Sequence, residues 1–302
     1  MYEASGREDH FLLALELCEN MVAAANEDRD GDGHPEWDAT LNGSPPPNGR
    51  PDLLLPDLQG SVAIVRMARL IKSDPVLQAT YGSRAYALAR FVDDHILTKW
   101  LYDRNHLAWF RNLPDWSDKA SMIVRLLVDM HVFLGDQVRR ELAEELAQQF
   151  VDTTLMYDPD TDSYVWPNIP APDTAHTNRE AMFIEVCAQA GIVFDDDDVR
   201  RVANTLVQLI WNGSLDDPQC TNFHTGADDD YNGWGPGEWG RIYNGWILTG
   251  RVSAEAQSIG QAIMDLALAD PQINPTVYRS SGPQNVLPMC GHLARNLWLS
   301  QE

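Results

Sequence analysis

The sequence predicts an all-α fold, an (α/α)n toroid or incomplete barrel of about five to six helix pairs, as one domain over residues 1–302. Three observations predict it. Ten stretches carry helical patterning. They alternate between long charged helices and helices rich in small and apolar residues. The alternation recurs about every sixty residues as helix, rim loop, helix, the signature of inner helices lining a ring that outer helices wrap. In such a ring the rim loops gather on one face, and chemistry belongs in that groove.

In chain order, the outer helices are expected at 8–26, 75–103, 136–156, 196–213 and 252–269. The inner helices are expected at 57–73, 117–134, 174–191, 235–249 and 284–299. The Pro-rich run Ser44-Pro45-Pro46-Pro47-Asn48-Gly49 reads as part of a rim loop rather than a hinge. Asp158 to Pro167 reads as a turn-rich loop carrying Tyr164 and Trp166. Thr177 with Glu180 three residues on has the form of a capping box and sets a helix start. Asp195-Asp196-Asp197-Asp198 opens an outer helix and most simply caps it. Pro236 suits a first helical position, and Glu238 suits the positive end of the same helix. Four glycines in that segment cost helical stability, which points to close approach of other groups.

Composition narrows the function classes. Forty-five acidic against 22 basic residues give a net charge of −23. Such a field repels nucleic acid and anionic membranes, so neither is an expected partner. No apolar run approaches the ~18–20 residues that span a bilayer. Met1 to Asp9 is acidic and has no apolar stretch, so the expected setting is soluble: secreted or periplasmic if a signal has been removed, cytoplasmic otherwise. Cys18, Cys187, Cys220 and Cys290 lie far apart without a CxxC pair, and Cys18 and Cys187 fall inside helices, where buried free thiols are common.

Asp28-Arg29-Asp30-Gly31-Asp32-Gly33 begins like a calcium loop, with oxygen donors at positions one, three and five and a glycine at six. Position twelve, where a bidentate Glu would sit, is Ala39. A structural Ca2+ held by Asp28, Asp30 and Asp32 is one expectation, and a self-capped Asp/Gly turn is the other. His34, Trp37 and Asp38 follow, and such loops resemble rim loops that carry residues into the sugar groove of carbohydrate-active toroids.

Two further regions concentrate ionisable and aromatic side chains. His176, Asn178 and Arg179 stand at an inner-helix mouth. Between Cys220 and Trp246 lie His224, Asp228 to Asp230, Tyr231, Trp234, Glu238, Trp239, Arg241 and Tyr243. Trp239, Tyr243 and Trp246 form one helical stripe suited to core packing. Aromatics interleaved with forked polar groups also suit a sugar groove, where flat faces stack on pyranose rings. On this reading Arg179, Trp37, Trp166, His224, Tyr231, Trp234, Glu238 and Trp239 contact a polysaccharide or oligosaccharide substrate.

A His/Asn cluster opening one inner helix, with Arg and Tyr in the next, resembles the α/α-toroid polysaccharide lyases, the alginate and glucuronan lyases in particular. The resemblance implies β-elimination at a uronic acid. It makes His176, Asn178, Tyr243 and Arg241 the catalytic set. Asn178, with Arg179 or Arg241, would hold the carboxylate and stabilise the enolate-like state. His176 or Tyr243 would take the C5 proton, and Tyr243 would protonate the leaving oxygen. Arg241 would lower the tyrosine pKa. No cofactor is needed for this chemistry, so calcium would be structural. The alternative is an inverting glycoside hydrolase using Glu238 as acid and Asp38, Asp228, Asp229 or Asp230 as base. A non-catalytic glycan-binding protein and a terpenoid cyclase using Asp195–Asp198 complete the set.

Overall fold

The computed structural model describes residues 2–25, 28, 31–35, 37, 54–112, 116, 118–167, 169, 172–229, 244–269 and 286–299. The chain is mostly helical. Its elements are α1 (Tyr2–Ser5), α2 (Glu8–Ala24), α3 (Leu54–Ser73), α4 (Pro75–Phe91), α5 (His106–Arg111), α6 (Asp118–Leu134) and α7 (Gln137–Thr153). Then come strands β1 (Met156–Asp158) and β2 (Ser163–Val165), followed by α8 (Asn178–Ala190), α9 (Asp196–Asn204), α10 (Asn244–Leu248), α11 (Ala254–Ala269) and α12 (Val286–Leu299). Wider π windings extend α4 over Val92–Asp103 and α9 over Thr205–Ile210. Among the described residues no helix is long and apolar enough to cross a membrane.

Apart from the short α1 and α5, which the periodicity does not place, the described helices fall near the expected stretches, and side-chain caps set some of their boundaries. Asp74 accepts the N–H groups of Val76 and Leu77, and Pro75 fills the first position of α4, where no amide is needed. At α9 Asp195 and Asp198 cap one another reciprocally, which accounts for the acidic run as a helix start. Gly191 closes α8 at φ 63° and Gly135 turns the chain between α6 and α7 at φ 74°.

Three expectations change. The stretch 156–165 contains a hairpin, with Tyr157 opposite Tyr164. The helix expected from 174 begins at Asn178, after a turn over Asp173–Thr177. Thr177 and Glu180 do not form a capping box. Thr177 has helical dihedrals and no capping bond from its side chain, and Glu180 points into the core. Of the helix expected at 235–249 the structure describes 244–248, so its glycines can be judged at Gly245. A Cβ there would lie 1.7 Å from the Asn178 carbonyl oxygen of α8, a backbone approach only glycine permits.

Residue contacts divide the chain into two compact units. One comprises Glu8–Pro114 and Met122–Leu146, the other Met1–Arg7, Asp115–Ser121 and Ala147–Glu302. The first has its core around Phe11, Leu15, Leu58, Ile64, Ile96, Phe110 and Phe133. Beside that core the fully buried Lys99 lies between Asp32 (3.6 Å) and Asp57 (3.8 Å), in the paired state a buried charge requires. The second is centred on aromatics: Trp116, Phe150 and Phe183 pack together, and Trp166 stacks on Trp246 with centroids 5.8 Å apart. Cys18, Cys187 and Cys220 are buried free thiols, and Cys290 is half-buried and also free.

Candidate functional site

Among the described residues of the second unit, the mouth of α8 brings several titratable groups together around His176. The turn Asp173–Thr177 is fixed from three sides. Thr174 N–H donates to the Asn222 carbonyl (3.0 Å), the Trp246 indole donates to the Thr174 carbonyl (2.9 Å), and His224 Nδ1 donates to the Pro172 carbonyl (2.8 Å). Asp173, fully buried, accepts the N–H groups of Ala175 (3.0 Å) and His176 (3.1 Å) on Oδ1. Its Oδ2 lies 2.6 Å from His176 Nδ1.

A carboxylate only accepts, so His176 carries its proton on Nδ1 and keeps a lone pair on Nε2. The imidazole is 39 % exposed. A buried acid orienting a half-exposed histidine is the working part of a general base. The hydrogen bond from Asp173 raises the His176 pKa above its ordinary 6.5, against the opposing effect of burial. The same bond shifts to higher pH the point at which His176 is free to act as a base.

Around this pair the neighbours are engaged in specific ways. Asn178 donates one amide proton to the Ala175 carbonyl (2.6 Å), and its Oδ1 accepts weakly from Gly245 N–H at 3.4 Å. Among the described residues its second amide proton has no acceptor. Arg179 pairs with Asp118 at the start of α6, so the guanidinium expected to meet substrate already faces an acid. Next to it, Glu180 is completely buried. The Trp116 indole donates to Ser121 Oγ (2.8 Å), and Ser121 donates to Glu180 Oε1 (3.0 Å). Among the described residues Glu180 Oε2 has no hydrogen-bond partner. Burial, reinforced by the charge of Asp118, pushes its pKa up to about 8, so Glu180 is a neutral acid at pH 7.

The other expected site residues lie elsewhere. Trp166 and His224 belong to the core: Trp166 is 0 % exposed, stacked on His224 (4.7 Å) and on Trp246, with no face left for a sugar. His224 accepts the Trp166 N–H on Nε2 at 3.0 Å, and burial lowers its pKa to about 4. Trp37 sits in the first unit, half-buried, donating to the Met21 carbonyl and packing edge-on against Phe91. Asp28 and Asp32 are in the same unit. Asp28 accepts the N–H groups of Gly31, Asp32 and Gly33, a self-capped turn. Asp32 is turned to Arg104 (2.8 Å) and Lys99 rather than toward Asp28. Asp30, Asp38, Asp230, Tyr231, Trp234, Glu238, Trp239, Arg241 and Tyr243 lie outside the described residues.

Asp173, Asp118 and Ser121 do not stand out in the sequence, and Glu180 does so only as a helix cap. Asp173 had a signal: Asp three residues before His, ahead of a helix, is the spacing of an Asx turn that returns its second oxygen to the ring. Asp118 and Ser121 had none, because they lie about sixty residues upstream of their partners. No family model, curated protein or solved structure matches this chain, so the chemistry of the site carries the functional reading.

Proposed function

We propose that the chain is a polysaccharide lyase of the α/α-toroid kind, cleaving a uronic-acid polymer by β-elimination with His176 as the base. The observation that carries the reading is the Asp173–His176 pair, 2.6 Å apart, with the ring half-exposed beside Asn178. In this mechanism His176 Nε2 takes the C5 proton. The C–H electron pair becomes the C4=C5 double bond, and the C4–O bond breaks with a proton supplied to the leaving oxygen by Tyr243. The second amide proton of Asn178 hydrogen-bonds the substrate carboxylate, with Arg241 as the cation that the Asp118-paired Arg179 no longer supplies. Asp173 is a positioning residue that holds the tautomer. Any calcium at Asp28, Asp30 and Asp32 would serve structure alone.

The test is ultraviolet absorbance over time with alginate, glucuronan and pectate. A rise from the conjugated double bond, abolished in His176→Gln, is the expected result. A flat trace across the panel, with reducing ends appearing from neutral or amino-sugar polymers instead, overturns the lyase reading.

A further inference from the structure

The α8 mouth holds an ion pair for which the proposed mechanism has no step. Arg179 follows His176 by three residues, a spacing that puts two side chains on the same face of a helical turn. The turn is continuous between them, because Arg179 N–H donates to the His176 carbonyl at 3.1 Å. The Arg179 guanidinium is 19 % exposed and bonds to the carboxylate of Asp118, itself 20 % exposed, at the start of α6 in the same unit. At that burial solvent screens charge weakly, so a lone guanidinium there would act strongly on the imidazole. Both charges reach His176, and with opposite sign: Arg179 works against protonation of the ring and Asp118 favours it.

We propose, on the reading of His176 as the base, that Asp118 is a positioning residue acting through Arg179: it holds the guanidinium and cancels a positive charge that would otherwise weaken the base. Two acids then divide the work. Asp173 fixes the tautomer by direct contact with Nδ1, and Asp118 sets the strength of the base by removing the charge of Arg179. Strength matters because a ring that holds a proton poorly also takes one from carbon poorly. The other ionisable groups around the turn leave this division intact. Glu180, buried beside Asp118, is uncharged at pH 7 and does not compete for Arg179. In the stretch paired with the turn, His224 is neutral on the Pro172 carbonyl, Asp228 accepts the Asn222 N–H, and Asp229 is exposed. The described part of α10, Asn244–Leu248, carries no charged residue. Asp118 lies about sixty residues upstream of Arg179, so the base is complete only when the start of α6 has docked on α8.

The test is an NMR titration of the His176 ring in the full-length chain, its signal identified by its loss in His176→Gln. Asp118→Asn leaves the Arg179 charge uncancelled and should lower the midpoint. Arg179→Gln should raise it, and the double variant should return close to wild type. Opposite signs in the two single variants are the signature of charge, since loss of a merely structural tie moves the midpoint the same way in both. Asp118→Glu keeps the charge and should restore the wild-type midpoint. Midpoints that stay put, or that move together in the single variants, overturn the proposal. Should circular dichroism show Asp118→Asn unfolded, Arg179→Gln against Arg179→Lys decides: the midpoint must rise in the first and hold in the second. No substrate enters this measurement, so a failure of uronic polymers to react sinks the lyase reading and leaves the midpoints to judge the pair. Where a uronic polymer is cleaved, the acid limb of kcat/KM should move in the order of the midpoints, and an acid limb that ignores them also overturns the proposal.

Discussion

Replacing Glu180 by Gln should change how stability responds to pH, and the size of the change can be worked out from the site. The Glu180 pKa rises from 4.5 to about 8 because the carboxyl is fully buried beside Asp118. Between those values the native state keeps a proton that the unfolded chain has lost. Stability therefore falls as pH rises from 4.5 to 8. At 1.36 kcal/mol per unit the full loss is roughly 5 kcal/mol, an upper bound because the pocket can relax and admit water. That is comparable with the whole stability of many domains. Gln keeps the shape, still accepts from Ser121, and cannot titrate. Urea unfolding followed by tryptophan fluorescence at acidic, neutral and alkaline pH is the assay. The two proteins should have similar midpoints under acidic conditions, and the variant should be the more stable above pH 8. Asp118→Asn should shrink the wild-type slope by lowering the Glu180 pKa. Parallel stability curves for wild type and Glu180→Gln would refute the reasoning.

Two further outcomes follow from the same region. Gly245→Ala places a methyl 1.7 Å from the Asn178 carbonyl and 3.0 Å from Met182 N, both backbone atoms that cannot rotate away. The expected loss is ~3 kcal/mol, at the upper end for overpacking, read as a lowered thermal midpoint. Asp173→Asn removes the acid that raises His176, so an NMR titration should show the His176 pKa falling toward or below 6.5. A raised histidine pKa contributes stability that is present below 6.5 and lost as pH rises through the folded value. Wild type and variant should therefore differ most under acidic conditions. On the lyase reading the rate falls about 10³–10⁴-fold, as expected when a base loses its correct tautomer.

The helices were legible because burial on one side imposes apolar spacing that survives in the sequence, and because caps such as Asp74 and Asp195 use short-range chemistry. The hairpin at 156–165 was not, since its three-residue strands are too short to show alternation among turn residues. The π windings leave no compositional trace. Of the site, His176 and Asn178 could be read as polar groups at a helix mouth. Thr177 and Glu180 satisfied a local pattern that tertiary burial overrode: Ser121 and Trp116 offered Glu180 an interior partner and its own helix start did not. Trp166 and His224 show the same limit from the other side. An aromatic near ionisable residues reads as an exposed platform, and only the fold reveals that both faces are covered.

His224 gives the core an acid-sensitive latch. One neutral ring joins three separate stretches of chain, giving a proton to Pro172 and taking one from the amide of Trp166. Once protonated, Nε2 can no longer accept, and two hydrogens face each other where a bond had been. The fold around Trp166 thus loses stability progressively as pH falls from 6.5, where the unfolded ring takes its proton, to about 4, where the buried His224 ring does. Protonation keeps the bond to the Pro172 carbonyl and loses the one from the Trp166 amide, so acid loosens the segment that leads into the His176 turn.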